Sequence, residues 1–377
     1  DQTLYTDGGN FEENEELALA IISLMCHGVK VAVVTAAGYG LDGSKYSKRL
    51  RGLLDRFVIE NLTKDQIENF FVFGGECNYL LQCTLQTTLV TTDGSPSVGF
   101  DLDGESPSKN DNNKEVKEVH EAVIVPVPVE AWQAEDSQGP KPAFWPQDEI
   151  TTILDVAEKS MRETMEDLQL RVKILRKERA IGVYPGGTDM ILKVPVGHGS
   201  SKVKREALDE MVLRVMEALR SHTPRITLPY CVFNGGTDAW LDIGNKRVGV
   251  EALQAYFKIP QANCLHVGDQ FLNTGNDIAA RETCPCIWII NPRETGKVLQ
   301  HVIKYGNITP ILSTQRRLAP YKATQEDLTL IGPGVVPGTA ASLSGPEKPD
   351  AASANLSRPR SISGELGKLC VYTGNML

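Results

Sequence analysis

The chain opens Asp1-Gln2-Thr3-Leu4-Tyr5-Thr6-Asp7-Gly8-Gly9-Asn10, and the rest of the sequence is organised around these ten residues. A carboxylate followed two residues later by Thr and Leu is the second half of an Asp-x-Asp-x-Thr-Leu pattern. That pattern places two carboxylates two apart at the end of a buried strand. The first of them would lie two residues upstream of Asp1, so the chain is expected to begin inside its own active site, without the strand that carries the pattern.

Moving outward, Leu17, Ala18, Ile21, Leu24 and Met25 recur at helical spacing over residues 14–27, and Gly28 supplies a stop. The β-branched run Val29-Lys30-Val31-Ala32-Val33-Val34 follows and ends at Thr35-Ala36-Ala37-Gly38. A buried strand running into a small-residue loop is where an α/β protein holds a ligand. The same grammar resumes near residue 226. Ile226 to Phe233 reads as a strand opening into Asn234-Gly235-Gly236-Thr237-Asp238. Lys246 precedes a helix from about Val248 to Phe257, and Cys264 to Val267 is a strand ending in Gly268-Asp269. Pro285 to Ile290 and Thr295 to Tyr305 add another strand and helix. Strands alternating with helices predict a doubly wound, Rossmann-like parallel sheet.

This divides the chain into a core at 1–45 and 226–306 and an inserted α+β cap at 46–225. Within the insertion, Tyr46 to Leu81 reads as helices broken by a short apolar segment, Phe70 to Phe73. Amphipathic helices are expected from Gln147 to Leu168 and from Lys202 to His222, with one or two strands over Arg171 to Tyr184. Residues 93–117, rich in Ser, Gly, Asp, Asn and Lys, read as a mobile insertion, and 307–377 as a largely disordered tail without chemistry.

Composition narrows the function. A hydrophobic share of 41% with 23% charged residues can bury a real core. The net charge of -9 disfavours a non-specific nucleic-acid binder, which needs a basic face to displace counterions. No apolar run approaches the length of about 20 residues that spans a bilayer, so no membrane partner is expected. The eight cysteines are scattered. Cys284-Pro-Cys286 flanks a strand and reads as core thiols, a usage that suits a reducing cytosol.

Asp1, Thr35, Lys246 and Asp269 all fall where predicted parallel strands end or a helix begins. In a parallel sheet those ends share one edge. A hydroxyl, a lysine and separate carboxylates there are what phosphoryl transfer to a carboxylate requires. The hydroxyl and lysine hold non-bridging oxygens, the carboxylates hold Mg²⁺, and one carboxylate handles the leaving-group proton.

With these four elements in order, the chain resembles the haloacid dehalogenase-like hydrolases, in the form that carries a cap after the second motif. Lys246 stands two residues further from its helix glycine, Gly249, than in many of them. Within that superfamily, four stretches resemble the IMP-specific 5'-nucleotidases: Asp1 to Gly9, Val34 to Tyr39, Gly74-Gly75-Glu76-Cys77-Asn78-Tyr79, and Phe233 to Lys246. The likeness covers most of residues 1–305.

The resemblance implies a cytoplasmic, Mg²⁺-dependent hydrolase converting IMP to inosine and phosphate through an aspartyl-phosphate, activated by ATP and assembled as a homotetramer. Asp1 would be the acid/base and touch the metal through its backbone carbonyl, and Asp269 would be a metal ligand. Thr35 and Lys246 would hold phosphate, Asp7 and Asp238 would face the nucleoside, and Thr188 would be a further substrate contact. Asp277 is expected to support the Asp269 loop and His266 to be core. Plainer readings stand beside these: Asp7 and Asp238 as turn formers, Thr35 as a helix cap. Phe100-Asp101-Leu102-Asp103-Gly104 spells a full Asp-x-Asp-Gly, but Gly94 to Gly99 cannot form the buried strand that would fix it. Two further readings are open: a capped phosphatase for another nucleotide or a sugar phosphate, and a fragment that binds ligand without turnover. If the upstream carboxylate and its strand are absent, residues 1–377 alone should not turn over and the sheet should have an empty central lane.

Overall fold

The computed structural model describes residues 2–6, 9–12, 15–91, 116–133, 139–185, 203–312 and 370–374. Helix α1 (Glu15–Cys26) buries Leu17, Ala18, Ile21, Ile22, Leu24 and Met25. It ends where Gly28 takes φ +77°, a left-handed value that costs glycine nothing. Strand β1 (Lys30–Val34) follows at once. Helices α2 (Gly43–Arg49), α3 (Arg51–Ile59) and α4 (Lys64–Ile67) then carry the chain to β2 (Phe70–Gly74), which is buried along its whole length. A long hairpin of β3 (Tyr79–Thr91) and β4 (Val116–Pro126) and the short α5 (Val129–Trp132) come next.

The chain continues through α6 (Gln147–Asp167), β5 (Val172–Arg176), β6 (Ala180–Pro185), α7 (Arg205–Arg220), β7 (Tyr230–Asn234) and β8 (Ala239–Ile243). It then runs through α8 (Lys246–Phe257), β9 (Cys264–Gly268), β10 (Cys286–Trp288) and α9 (Pro292–Tyr305). The last described element is β11 (Cys370–Gly374).

Two sheets result. The larger has the order β10-β9-β11-β1-β2-β3-β4. From β10 to β2 every neighbour is parallel, while β3 and β4 are added antiparallel. Alternation along the parallel strands explains why both faces are covered. Val31, Val33, Phe70 and Val72 pack against α1, α3 and α9, whereas Ala32, Val34, Phe71 and Phe73 face the layer with Trp132 and Leu253. The smaller sheet, β5-β6-β8-β7, is antiparallel throughout. Its core is shared with α6 and α7 through Ile153, Met161, Met211 and Val215.

The sheets divide the chain elsewhere than at residues 46 and 225. Strands β2, β3 and β4 belong to the larger sheet, because α2 to α4 form a crossover that brings Phe70–Gly74 back beside β1. Tyr79 to Leu81, the end of the stretch expected as helices, open strand β3. Strand β7, expected in the parallel core, pairs antiparallel with β8 in the smaller sheet. The tail also departs from its expected lack of structure, and the central lane is not empty. Strand β11 lies between β1 and β9, pairing Val371 with Val31 on one side and Leu265 on the other. Facing backbone donors and acceptors on two parallel neighbours reward any extended segment that reaches them, and Cys370-Val371-Tyr372-Thr373 has β-favouring side chains. The expected mobile stretch 93–117 lies outside the described residues except for its last two, already part of β4, and Phe100 to Gly104 lies outside them entirely.

Candidate active site

The end of β1 delivers Thr35, wholly buried, whose N–H donates to Phe73 O at 2.9 Å and whose hydroxyl accepts from Ala37 N–H at 3.0 Å. Two lanes away in the sheet, beyond β11, the end of β9 delivers Asp269. Its carboxylate accepts from the Thr3 hydroxyl at 3.0 Å, and Thr3 O in turn accepts from Thr295 at 2.6 Å. These two bonds pin the opening segment to the same sheet edge, across more than 260 residues of sequence.

Lys246 is the first residue of α8, one position after Asn245, whose side chain caps the helix by accepting from Val248 N–H at 3.0 Å. The lysine is completely buried and donates to Asp277 at 2.6 Å. The same carboxylate meets His266 Nε2 at 2.8 Å and accepts from the backbone N–H groups of Asp269 and Gln270 at 3.1 and 2.8 Å. His266, expected as core, is buried in β9 but takes part in this polar network. Gly268 is required here, since a Cβ would sit 2.4 Å from Asp277 Cγ.

The charges follow from that geometry. Burial alone would push Asp277 up, yet the Lys246 ammonium and the His266 bond hold it well below the usual carboxylate range. Burial likewise works against the Lys246 charge, and Asp277 and Glu76 outweigh it, so the ammonium is retained. Asp269 is pushed up to about 6, first by burial and then by its neighbour Asp277. Glu76, fully buried just beyond β2, is pushed up to about 7 by burial. Asp242 is raised well above its ordinary value by burial and by the Glu76 charge.

Beside this polar floor lies a cavity of about 410 Å³ between the two sheets. The larger sheet contributes the loop Ala36 to Gly40 with Tyr39 and Tyr79, and the smaller contributes Lys177, Phe233, Asp238 and Trp240. Lys177 Nζ stands 4.7 Å from the centre of the Trp240 ring. Asp238 sits in the β7–β8 turn, half-buried, where its carbonyl accepts from Gly235 N–H at 2.9 Å.

Of the residues singled out in the sequence, Thr35, Lys246 and Asp269 come to one edge and Asp238 lines the adjoining cavity. Asp1, Asp7 and Thr188 lie outside the described residues. Sequence reasoning gave no role to the Thr3 hydroxyl, Lys177 or Glu76. For Glu76 a signal existed: two glycines followed by an acid at the end of an apolar run.

The family model described as IMP-specific 5'-nucleotidase matches residues 1–95 and 112–299. The IMP-specific 5'-nucleotidase 1 of Plasmodium falciparum is 33% identical over 303 residues, which cover 80% of this chain and 58% of that protein. The protein of the same name from Aspergillus fumigatus is 37% identical over 305 residues, covering 80% and 56%. The chain thus spans little more than half the length of these relatives. Among solved structures, an IMP-bound mutant of the P. falciparum IMP-nucleotidase matches with a TM-score of 0.62 at 33% identity, covering 81% of this chain and 65% of that one. The ATP-bound form of that nucleotidase matches with a TM-score of 0.59 at 32% identity, covering 80% and 58%.

Proposed function

We propose, as this chain belongs to the IMP-specific 5'-nucleotidase family, that the protein hydrolyses IMP to inosine and phosphate with Mg²⁺. The observation that carries this reading is the buried cluster at the ends of β1 and β9, where Lys246 and Thr35 face an edge that also presents Asp269. The smaller sheet is then the cap over that edge.

The residues present fit a magnesium ion. Asp269 offers carboxylate oxygen, and its repulsion from Asp277, which helps push it up to about 6, is what a divalent cation relieves. Among the described residues no three His, Cys, Asp or Glu side chains converge as a ready-made cage. Mg²⁺ does not need one, since it takes one or two carboxylates and keeps several waters. Asp269, together with Asp1, would hold it. Bound there, the ion would neutralise charge between an attacking carboxylate and the phosphate.

The protein's own groups supply the rest. Lys246 and Thr35 orient the phosphate, the first carboxylate of the Asp-x-Asp-x-Thr-Leu pattern attacks phosphorus, and an aspartyl-phosphate forms as the ribose oxygen leaves. Asp1 protonates that oxygen and then takes a proton from the water that opens the acyl-phosphate. Tyr39, Tyr79, Phe233 and Trp240 give the adjoining cavity faces on which a purine stacks. Lys177 places a donor there that suits an oxo group at the purine C6 and not an amino group. Asp7, Asp238 and Thr188 face the nucleoside.

The ATP-bound relative supports ATP binding, and ATP as an effector and a homotetramer belong to the same proposal. The seven described cysteines are all free thiols, which supports a cytoplasmic setting. Mg²⁺-dependent phosphate release from IMP, AMP and a hexose phosphate, by protein carrying the complete motif, tests the reading. IMP is expected to be preferred over both by about tenfold or more in kcat/KM. Equal rates on all three, or undiminished rates in chelator, would overturn it.

A further inference from the structure

The turn Gly75-Glu76-Cys77-Asn78 takes no step in the chemistry above, and its backbone is unusual. Gly75, Glu76 and Cys77 take φ of +60°, +47° and +74°. Two residues with side chains therefore occupy the crowded left-handed region, a strain that persists where the surroundings over-determine it. The turn drives the Glu76 side chain into full burial, where Oε1 accepts from Asn276 Nδ2 at 2.8 Å across 200 residues of sequence. Its Oε2 has no hydrogen-bond partner among the described residues. Asn276, also fully buried, immediately precedes Asp277, which binds Lys246 and the N–H of Asp269. At its other end the turn holds the smaller sheet, with Asn78 donating to Ile243 O at 2.6 Å and accepting from Arg179 at 2.7 Å.

We propose that Glu76 is a positioning residue: by holding Asn276 it fixes the loop that presents Asp269 and sets Asp277 against Lys246. The lysine and the carboxylate are thereby kept at a constant separation for the phosphate between them. This rests on the reading of that edge as a phosphate and Mg²⁺ site, though not on IMP as the substrate. A purely electrostatic role reads out differently. The Glu76 charge repels an anion and also supports the Lys246 ammonium, so such a role would change phosphate affinity when the charge is removed at constant side-chain length.

Two conservative variants separate these roles, with calorimetric binding of inorganic phosphate in Mg²⁺ as the readout. Glu76→Asp keeps the charge and tolerates a left-handed backbone, but it is one methylene too short to reach Asn276. It is expected to weaken phosphate binding about tenfold, the usual scale for a residue that orients a ligand-binding group. Glu76→Gln keeps the acceptor and the length and is expected to bind phosphate as the parent does. Combining Glu76→Asp with Asn276→Ala is expected to cost no more than Asn276→Ala alone, because both remove one contact. Parental affinity in Glu76→Asp, a changed affinity in Glu76→Gln, or additive losses in the double variant would each overturn the proposal. If phosphate binds as described but the complete protein releases none from IMP, the substrate reading fails and the role of Glu76 stands.

Discussion

Asp277 is the residue on which the site's charges balance. One carboxylate serves Lys246, His266 and two backbone N–H groups, and in return it keeps a buried lysine protonated. Asp269, joined to that carboxylate through its backbone N–H, is left short of compensation, and its titration is open to measurement. Its folded value of about 6 exceeds the ordinary carboxylate value of about 4. Its contribution to stability is therefore fully present below about pH 4 and lost as pH rises through about 6. Glu76, at about 7, acts in the same direction. Held by Asp269 as proposed, Mg²⁺ would bind the ionised form, so the rise in melting temperature it produces should be small at pH 5 and large at pH 7.5. Asp269→Asn should abolish the Mg²⁺ effect and raise the melting temperature of the metal-free protein at pH 7.5. An equal Mg²⁺ shift at both pH values would contradict this assignment.

At the scale of elements, the site depends on how closely α8 approaches the turn after β2. Gly249 permits it, since a Cβ there would lie 2.2 Å from Cys77 Sγ. Gly249→Ala should cost about 1–3 kcal/mol by overpacking, visible in denaturant unfolding, and Cys77→Ala in the same chain should recover part of it, since the Cβ of residue 77, at 2.9 Å, stays. A neutral single variant would mean the approach is looser than it looks. Strand β11 makes a different demand. Val371→Pro would strip a donor from a strand with neighbours on both sides, an expected loss of about 1–3 kcal/mol. Unchanged unfolding would show that the lane is not held by this segment.

These elements also show where sequence reading succeeds. Helices α1, α6 and α7 announce themselves through apolar residues at helical spacing, and Thr35, Lys246 and Asp269 through their places after a strand or before a helix. The short strands β2 and β11 do not, because three or four apolar residues carry no period that separates strand from buried helix. The side chain of Glu76 was illegible for another reason. Its partner is 200 residues away, and the left-handed turn that aims it leaves only two glycines as a local trace.

For the whole molecule, the decisive relation is between the two sheets. The larger supplies the polar floor with Tyr39 and Tyr79, and the smaller supplies Phe233, Trp240 and Lys177, so the proposed ligand would span both with a phosphate at one end and a planar base at the other. Asn78 and Arg179 hold the two sheets in register across the cavity. Calorimetric titration in Mg²⁺ of IMP, and separately of ribose 5-phosphate, into the protein and into its Lys246→Met variant tests this relation most directly. IMP should bind the protein about tenfold or more tighter than the sugar phosphate, since stacking and a base contact add upward of about 1.4 kcal/mol, and Lys246→Met should lose both ligands. Equal affinity for IMP and ribose 5-phosphate, or IMP bound undiminished by the variant, would contradict a site that reads phosphate and purine together.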